Sequence, residues 1–307
     1  MDIELAIIGA GSAGYSAGIY AGRSGIDAVI FDKGVGGGLT MEAPKVENYP
    51  GFKSISGMEL MEKMKEHAKE YAKFNFYEEV LDLSKEKDFI GMKTTKKEYE
   101  VGAVIIATGT EHKKLNVKGE KELQGKGVSY CATCDGFFFK DKDVVVIGGG
   151  SSAVIEAIFL KQIGCNVSIV HRRDELRAEK ALENEAVEKG IEIIWNSVVD
   201  EIIGKDKVEE IKLKNVKSGE IKTKKVDGIF ISIGEAPRSA LAKKIGVKTD
   251  ENGYIITDNM QRTNVARIYA AGDVTGGIRQ IVTACAQGAR AALASTEVLG
   301  KRSPYRF

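Results

Sequence analysis

The chain has 307 residues, in which 45 Lys and Arg nearly balance 44 Asp and Glu, leaving a formal net charge of +1. This balance argues against a nucleic-acid partner or a membrane-surface protein, because either needs a basic excess. A single core stops growing at about 250 to 300 residues, so the length predicts two domains. Apolar runs such as Val101 to Ala107 are strand-length and fall short of the roughly 18 residues of a membrane span.

The N-terminus carries no pattern of a secretory leader. Met1-Asp2-Ile3-Glu4 runs directly into an apolar strand, with no basic segment followed by a long apolar stretch. We therefore expect a cytoplasmic protein in a reducing compartment.

Four cysteines are present, and only Cys131 and Cys134 are close in sequence. A structural zinc site needs a second cysteine pair or nearby histidines, and the chain offers neither. The CxxC spacing therefore predicts a redox-active dithiol and no metal. We expect Cys165 and Cys285 to be inert buried thiols.

A dinucleotide-binding pattern lies near the N-terminus. The apolar run Leu5 to Ile8 leads into a GxGxxG motif at Gly9, Gly11 and Gly14, and then into a helix of small residues. Glycines at such a turn let the backbone approach a pyrophosphate, whose charge is stabilised by the free N–H groups of the helix N-terminus. The following strand ends at Asp32.

The same layout returns in the middle of the chain. The apolar run 144–147 leads into a GxGxxA variant of the motif, which comprises Gly148, Gly150, Ser151, Ser152 and Ala153. A lone glycine motif is a weak signal, because a Gly-rich segment also forms plain tight turns. Two copies, each between a strand and a helix, indicate two nucleotide-binding domains.

The residues at the strand ends distinguish the two sites chemically. His171 lies as far beyond the second motif as Asp32 lies beyond the first, and Arg172, Arg173 and Arg177 follow it. A carboxylate accepts hydrogen bonds from a ribose 2′-hydroxyl, whereas arginines bind a 2′-phosphate. The first site is thus expected to hold FAD or NAD and the second NADP, with Arg173 and Arg177 on one helical face. The alternative is a solvated charge patch with internal ion pairs.

The remaining segments complete a two-domain organisation. Lys-rich turns near 85–87, 96–97 and 205–225 predict hairpins, 113–126 reads as a linker, and His67 and His112 are expected on the surface. The last 70 or so residues hold no complete nucleotide-binding unit and return to the first domain. We predict an α/β chain of two Rossmann-like domains, the second inserted into the first: an FAD-binding domain of residues 1–112 and 244–307, and an NAD(P)H-binding domain of residues 113–243.

Several further motifs carry a family resemblance that spans essentially the whole chain. They are the segments 46–51 (VENYPG), 107–109 (ATG), 131–136 (CATCDG), 171–178 (HRRDELRA) and Gly272-Asp273 with Arg279-Gln280. With the glycine motif at its start, the chain resembles the low-molecular-weight thioredoxin reductases.

The resemblance implies an enzyme and its partners. It implies a homodimer with one FAD per subunit that passes electrons from NADPH through FAD and the Cys131–Cys134 pair to thioredoxin. In that family the residue at Cys134 faces the flavin, the residue at Cys131 attacks the partner disulfide, and the acid at Asp135 manages the proton. It also implies rotation of the inserted domain about linkers near 110–118 and 238–248.

The resemblance further implies the cofactor contacts. Those expected for FAD are Gly9, Gly11, Gly14, Asp32, Leu39, Thr40, Asn48, Val80, Gly109, Gly272, Asp273, Arg279, Gln280 and Ile281. Those expected for NADP are Gly148, Gly150, Ser151, Ser152, Ala153, His171, Arg172, Arg173 and Arg177.

The chain departs from the family pattern at a few positions. Asp32 and Gly38 stand where Glu and Gln are common, and Ser151, which is expected to cap its helix, and Ile155 stand where the second motif commonly has Asp or Asn and Glu. Ile155 cannot accept a hydrogen bond, so an alternative donor is a reduced deazaflavin (F420).

The sequence is also compatible with other acceptors and with another class of function. The acceptor is alternatively a glutaredoxin-like or peroxiredoxin-linked protein. From another class, the chain is alternatively an FAD-binding redox sensor with little turnover. A ferredoxin-NADP reductase is disfavoured because it has no use for Cys131 and Cys134.

Overall fold

A computed structural model describes residues 1–43 and 45–302. The strands are β1 (Ile3–Ile8), β2 (Ala28–Asp32), β3 (Lys73–Phe76), β4 (Val80–Lys85), β5 (Ile90–Thr94), β6 (Glu98–Ile106), β7 (Thr110–His112), β8 (Val128–Ser129), β9 (Asp143–Ile147), β10 (Asn166–Val170), β11 (Glu192–Ile194), β12 (Ser197–Ile203), β13 (Glu210–Asn215), β14 (Ile221–Lys225), β15 (Gly228–Ile231), β16 (Glu235–Pro237) and β17 (Ile268–Ala270). The α-helices are α1 (Ser12–Arg23), α2 (Gly57–Lys69), α3 (Ala132–Asp135), α4 (Ser151–Gln162), α5 (Lys180–Glu188), α6 (Ala240–Lys244) and α7 (Ile281–Ser295). Short 3₁₀ helices cover Gly38–Glu42, Gly136–Phe139 and Asp273–Thr275.

The chain divides into two compact units. Unit 1 comprises residues Met1–Glu111 and Ala236–Phe307, and unit 2 comprises His112–Glu235. The second unit is therefore inserted into the first.

Unit 1 is built on one seven-stranded sheet, in which six strands follow the order β3-β2-β1-β6-β5-β4 and β17 pairs with β6. β1, β2, β3 and β6 are parallel, whereas β4 and β5 add an antiparallel hairpin. The long β6 pairs with β5 over its first half and with β17, in parallel, over its second half. The C-terminal part of the chain thus returns to the N-terminal sheet, as the sequence predicts.

The central strands β1 and β2 and the second half of β6 are buried on both faces, which explains their nearly continuous apolar sequences. Leu5 and Ile7 of β1 point into one core, which also contains residues of α1 and α7. Ala6 and Ile8 point into the core on the opposite face. Because side chains alternate along a strand, a single apolar run serves both cores.

Unit 2 contains a five-stranded parallel sheet in the order β11-β10-β9-β15-β8. Val144 and Val146 pack with α4 on one face, and Val145 and Ile147 pack on the other face with the antiparallel sheet β12-β13-β14. Both units are α/β layers with a helix following the first strand, which confirms the predicted Rossmann-like fold class.

Two segments predicted as linkers are parts of the cores. In unit 2, Leu123 is buried and Leu115 and Val117 pack beside it, so 113–126 is not a free connection. In unit 1, α6 buries Ala242 against the sheet. The chain therefore returns to unit 1 after Glu235, earlier than the predicted boundary at 243/244, and 238–248 lies inside that unit.

No helix within residues 1–43 and 45–302 is both long enough and apolar enough to cross a membrane.

Candidate active site

The first glycine motif forms a tight turn between β1 and α1. Gly9 has φ +111°, and a Cβ there would overlap the carbonyl oxygen of Ala107 at the end of β6. A Cβ on Gly14 would overlap the carbonyl oxygen of Gly9. Gly11 differs, because a Cβ there would meet nothing within 4 Å. Two glycines are thus required by the packing of the protein itself, whereas Gly11 borders open space at the helix N-terminus.

That helix N-terminus is available to an anion. Gly11 is the N-cap of α1, and no side chain accepts a hydrogen bond from the first turn. The carboxylate of Asp32 lies beside the loop, where Oδ2 accepts from the Ala10 N–H at 2.9 Å and Oδ1 from the Gly34 N–H at 2.8 Å. Each carboxylate oxygen keeps a lone pair for a further donor such as a ribose hydroxyl. The arrangement fits a dinucleotide without a 2′-phosphate.

A loop with three glycines completes this side of unit 1. The N–H of Gly37 donates to the Ala10 carbonyl at 2.6 Å, and Gly38 approaches Gly11. Gly38 has φ +59°, a left-handed conformation that glycine adopts without strain. The Thr40 hydroxyl lies 3.4 Å from the Ser12 hydroxyl in the first turn of α1. Glycine at position 38, where Gln is common in the family, therefore suits the left-handed backbone of the loop.

The C-terminal predicted flavin residues gather at the start of α7. Gln280 is its N-cap, and Asn48 Nδ2 donates to Gln280 Oε1 at 3.1 Å. Gly272, at φ +81°, packs against α1 and donates its N–H to Gln287 Oε1 at 2.7 Å, which holds the turn that begins at Asp273. Segments from both ends of the chain thus meet in unit 1.

The remaining predicted flavin residues lie in the same unit with other contacts. Arg279 donates to the Tyr254 hydroxyl at 2.8 Å, Gly109 accepts from the Arg238 N–H at 3.0 Å, and Val80 begins β4 opposite Thr94. Leu39 lies in the 3₁₀ helix beside Thr40 and Ile281 is the first residue of α7. Gln287 and Tyr254 were not predicted from the sequence, because neither belongs to a motif.

The second glycine motif repeats the first in unit 2. A Cβ on Gly148 would overlap the Ser232 carbonyl oxygen, whereas one on Gly150 would meet nothing within 4 Å. Gly150 is the N-cap of α4, and no side chain caps the first turn. The prediction that Ser151 caps this helix is wrong, since Ser151 is already its first residue. The open glycine again borders a helix N-terminus.

His171 does not belong to the cationic cluster as predicted. Its ring is 5% exposed, lies directly under Gly149 and contacts Trp195 edge-on at a centroid distance of 6.4 Å. Burial lowers the pKa of His171, and the nearby positive charges of the arginines lower it further. The imidazole is therefore neutral at pH 7, and it packs against the backbone of the glycine loop at Gly149.

The three arginines are exposed and carry no ion pair among the described residues. The N–H of Arg177 donates to the Gly149 carbonyl at 2.7 Å, which ties this segment to the glycine loop. The segment has no helical turn, since α5 begins only at Lys180, so the predicted helical face for Arg173 and Arg177 is wrong. The adjacent Asp174 pairs instead with Lys217 at 2.6 Å. The arginines are therefore solvent-exposed, as the alternative of a charge patch expects, but the described residues do not form the internal ion pairs that it also expects.

The CxxC pair forms a disulfide between Cys131 and Cys134. Cys131 is the N-cap of the single-turn helix α3, and its carbonyl accepts from the N–H groups of Cys134 and Asp135. Helical backbone at this spacing brings the two sulfurs together, which explains the pairing of thiols three residues apart.

Asp135 lies on the same turn and contacts Ser129. The Ser129 hydroxyl donates to Asp135 Oδ2 at 2.6 Å and accepts from the Cys131 N–H at 3.1 Å. Burial raises the pKa of Asp135, and the Ser129 hydrogen bond opposes that rise only in part. A carboxyl group with a raised pKa is suited to donate and accept a proton near neutral pH.

The chain is similar to known proteins over most of its length. Residues 3–288 match the family model described as pyridine nucleotide-disulphide oxidoreductase. The thioredoxin reductase of Listeria innocua is 45% identical to the chain, over 93% of this chain and 90% of its own length. That of Bacillus subtilis is 44% identical, over 94% of this chain and 92% of its own length. The crystal structure of thioredoxin reductase from Streptococcus pyogenes is 42% identical, with a TM-score of 0.91 over 96% of this chain and 97% of that one.

The chain belongs to the thioredoxin reductase family. The resemblance seen in the sequence is thereby confirmed, and the chain is an oxidoreductase of the pyridine nucleotide-disulphide class. The individual cofactor contacts of this thioredoxin reductase family member stay predictions, as do the roles of its two cysteines and Asp135.

The chain also has a buried hydrogen-bond network, centred on Glu120, that the sequence did not reveal. Glu120 is 3% exposed and accepts from the N–H groups of Leu115 and Asn116 and from the hydroxyl of Tyr130, at 2.9, 2.7 and 2.7 Å. The His112 ring stacks on Tyr130 with a centroid distance of 4.7 Å. His112 is half-buried, so its predicted surface position holds only in part, whereas His67 is exposed as predicted.

The two other thiols of the chain, Cys165 and Cys285, form no disulfide among the described residues. Cys165 is buried as predicted, whereas Cys285 is only partly buried, where its Sγ approaches the Ser12 carbonyl. Burial raises the pKa of both thiols. Since the thiolate is the reactive form, neither is set up as a nucleophile at pH 7.

Proposed function

We propose that the chain is a thioredoxin-disulfide reductase that passes electrons from NADPH through FAD and the Cys131–Cys134 pair to thioredoxin. The observation that carries this proposal is the Cys131–Cys134 disulfide beside a half-buried acid, Asp135, whose pKa is raised by burial. Two glycine motifs, each at a helix N-terminus, support the two nucleotides. The relatives named thioredoxin reductase supply the partner.

Unit 1 fits FAD. Gly11 and the first turn of α1 would bind the pyrophosphate, and Asp32 would accept from a ribose hydroxyl. Asn48, Gln280 and Ile281 would hold the flavin ring and Asp273 the ribitol chain, as the resemblance implies. Bound FAD supplies a carrier that takes two electrons from a nicotinamide and gives them to a disulfide.

Unit 2 fits NADPH. Gly150 and the first turn of α4 would bind its pyrophosphate, and Arg172, Arg173 and Arg177 would bind the 2′-phosphate. Because these guanidinium groups have no carboxylate partner among the described residues, no ion pair must break when the phosphate binds. Their fork geometry suits a phosphate better than lysines would.

The reduced cysteine pair performs the exchange with the partner. The thiolate of Cys131 attacks one partner sulfur, forming a mixed disulfide while the second partner sulfur leaves as a thiolate. Cys134 then attacks Cys131 Sγ, which restores the internal disulfide and releases the first partner sulfur. Two electrons move to the partner, and Asp135 supplies the proton for the first leaving thiolate and takes one from Cys134.

An anaerobic titration of the flavin absorbance tests the donor. We expect stoichiometric bleaching by NADPH and far slower bleaching by NADH. Oxidised thioredoxin then restores the flavin absorbance. The Cys134→Ser variant keeps bleaching but loses thioredoxin reduction, while the control Cys165→Ala, which changes a buried free thiol, keeps both. Full thioredoxin reduction by Cys134→Ser would refute the dithiol mechanism.

A reduced deazaflavin (F420) is the second candidate donor. Ile155 is 52% exposed and lies about one turn into α4, two residues after the glycine motif, where it provides apolar surface in place of a hydrogen-bonding acid. Bleaching by reduced F420 together with failure of both nicotinamides would replace NADPH by F420 in the proposal.

The other predicted properties are tested separately. Turnover with a glutaredoxin-like or peroxiredoxin-linked protein and none with thioredoxin would change the acceptor, and flavin bleaching without sustained turnover on any disulfide would favour a redox sensor. The homodimer stays a prediction that sedimentation equilibrium checks. The cytoplasmic location stays a prediction as well.

A further inference from the structure

Ser129 links the first cysteine to the acid. It ends β8, is 5% exposed and precedes the CxxC motif. Its Oγ accepts from the Cys131 N–H, so its own proton is free to donate. The Asp135 Oδ2 atom at 2.6 Å is a closer acceptor than the Cys131 carbonyl at 3.4 Å. The hydroxyl therefore connects the Cys131 backbone to the Asp135 carboxyl group.

The two carboxyl oxygens of Asp135 consequently differ. Oδ2 accepts the Ser129 hydrogen bond, whereas Oδ1 is buried and makes no hydrogen bond with any residue that the structure describes. A protonated carboxyl group carries its proton on one oxygen and keeps the other as an acceptor. An oxygen that already accepts a short hydrogen bond is the poorer place for that proton.

We propose that Ser129 is a positioning residue that keeps the acidic proton of Asp135 on Oδ1, the oxygen from which it passes to a leaving thiolate. The inference deepens the proposed function and rests on it for the identity of that thiolate. Ser129 contacts neither substrate nor sulfur in this role and acts through Asp135.

The proton balance of the exchange follows from this assignment. As Cys131 bonds to the partner sulfur and the partner S–S bond breaks, the leaving thiolate takes the Oδ1 proton and Asp135 becomes a carboxylate. The carboxylate then removes the Cys134 proton as Cys134 bonds to Cys131 and the mixed disulfide breaks. The first partner sulfur, released as a thiolate in this second step, takes its proton from water, matching the proton that Cys131 lost on ionisation. Asp135 ends protonated, as it began.

The surroundings of Asp135 make Ser129 its main electrostatic partner. Burial raises the pKa of Asp135 and the Ser129 hydrogen bond lowers it, and no charged side chain of the described residues adds to either. Once reduced, the Cys131 and Cys134 thiols are the titratable groups on the same helical turn. Removing the Ser129 hydroxyl therefore leaves the burial of Asp135 unopposed.

A carboxyl titration tests this without a protein partner. The disulfide form is labelled with ¹³C at the aspartate γ carbons, and the resonance missing in Asp135→Asn identifies Asp135. In Ser129→Ala the titration midpoint is expected to rise by about one pH unit, since a hydrogen bond to a charged group is lost. Ser129→Thr keeps the hydroxyl and the wild-type midpoint, and the control Ser168→Ala, a buried serine of β10, leaves it unchanged. An unmoved midpoint in Ser129→Ala overturns the proposal.

A kinetic cycle tests the role in proton transfer. Reduced protein is mixed with oxidised thioredoxin over a range of pH. Ser129→Ala is expected to slow the reaction about tenfold and to move its alkaline limb upward, because the acid is misplaced and weaker. In the Asp135→Asn background the same change has less than about a twofold effect, since Ser129 acts through Asp135. An equal loss in both backgrounds overturns the positioning role. If the wild type does not reduce thioredoxin, the proposed function fails while the carboxyl titration still decides the Ser129 contact.

Discussion

Removal of the exposed arginines of unit 2 tests the nicotinamide site most directly. Arg172, Arg173 and Arg177 are exposed, so each phosphate contact is screened and contributes about 1 to 2 kcal/mol, between a surface ion pair and a hydrogen bond to a charged group. Because no carboxylate of the described residues competes for them, that free energy is fully available to the phosphate. Each alanine variant is expected to weaken NADPH binding about 5- to 30-fold, since about 1.4 kcal/mol equals a factor of ten.

The assay is the anaerobic rate of flavin reduction as a function of nucleotide concentration, measured by stopped flow. The concentration for half-maximal rate with NADPH is expected to rise in Arg173→Ala and Arg177→Ala, with a smaller salt dependence, while the values for NADH stay constant. Lys225→Ala, which removes an exposed cation of β14, serves as control. Equal losses for NADPH and NADH would show that the arginines do not read the 2′-phosphate.

Three further outcomes follow from packing and burial. Glu120→Ala leaves three donors without their acceptor, so it is expected to reduce the free energy of unfolding by about 3 to 5 kcal/mol in a urea titration. The control Glu122→Ala, which changes an exposed residue, is expected to reduce it by less than about 0.5 kcal/mol. Equal effects of the two variants would contradict this account. Gly11→Ala is expected to lose flavin, while the free energy of unfolding of the flavin-free protein stays within about 1 kcal/mol of the wild type. Gly9→Ala is expected to lose both flavin binding and stability, because its Cβ overlaps the Ala107 carbonyl oxygen. Retained flavin in Gly11→Ala would argue against the site. Because burial raises the pKa of Cys285, its thiolate forms only at higher pH, so iodoacetamide should label it more slowly than Cys131 in the reduced protein at pH 7, as mass spectrometry would reveal.

Local patterns in the sequence carried the predictions that the structure bears out. The two glycine motifs, the apolar strands before them and the charged hairpins each depend on residues close in sequence. Gly9 and Gly148 each lie in the tight turn between a strand and the helix that follows it, and both have positive φ. The side-chain alternation of Leu5, Ala6 and Ile7 is equally local.

The predictions that were wrong or missing depend on contacts between distant segments. The 113–126 segment is polar in composition, yet the few apolar residues within it complete a core that the later strands build. The Arg172 to Arg177 segment has helical spacing, but its hydrogen bond to Gly149 replaces a helical turn. Ser129 and Gln287 acquire their roles only through partners that the fold brings near. Such partners leave no periodicity in the sequence.

The pairing of β17 with β6 has a consequence for the order in which the chain acquires its structure. Unit 2 is one continuous stretch, so all of its strands are available once residue 235 has left the ribosome. Unit 1 waits for β17 and α7, which are made last and must find β6 and α1 across the whole insertion. Long-range pairings of this kind are slow to form. We therefore expect nascent chains released before residue 268 to hold a folded nucleotide-binding insertion and to be unable to retain flavin.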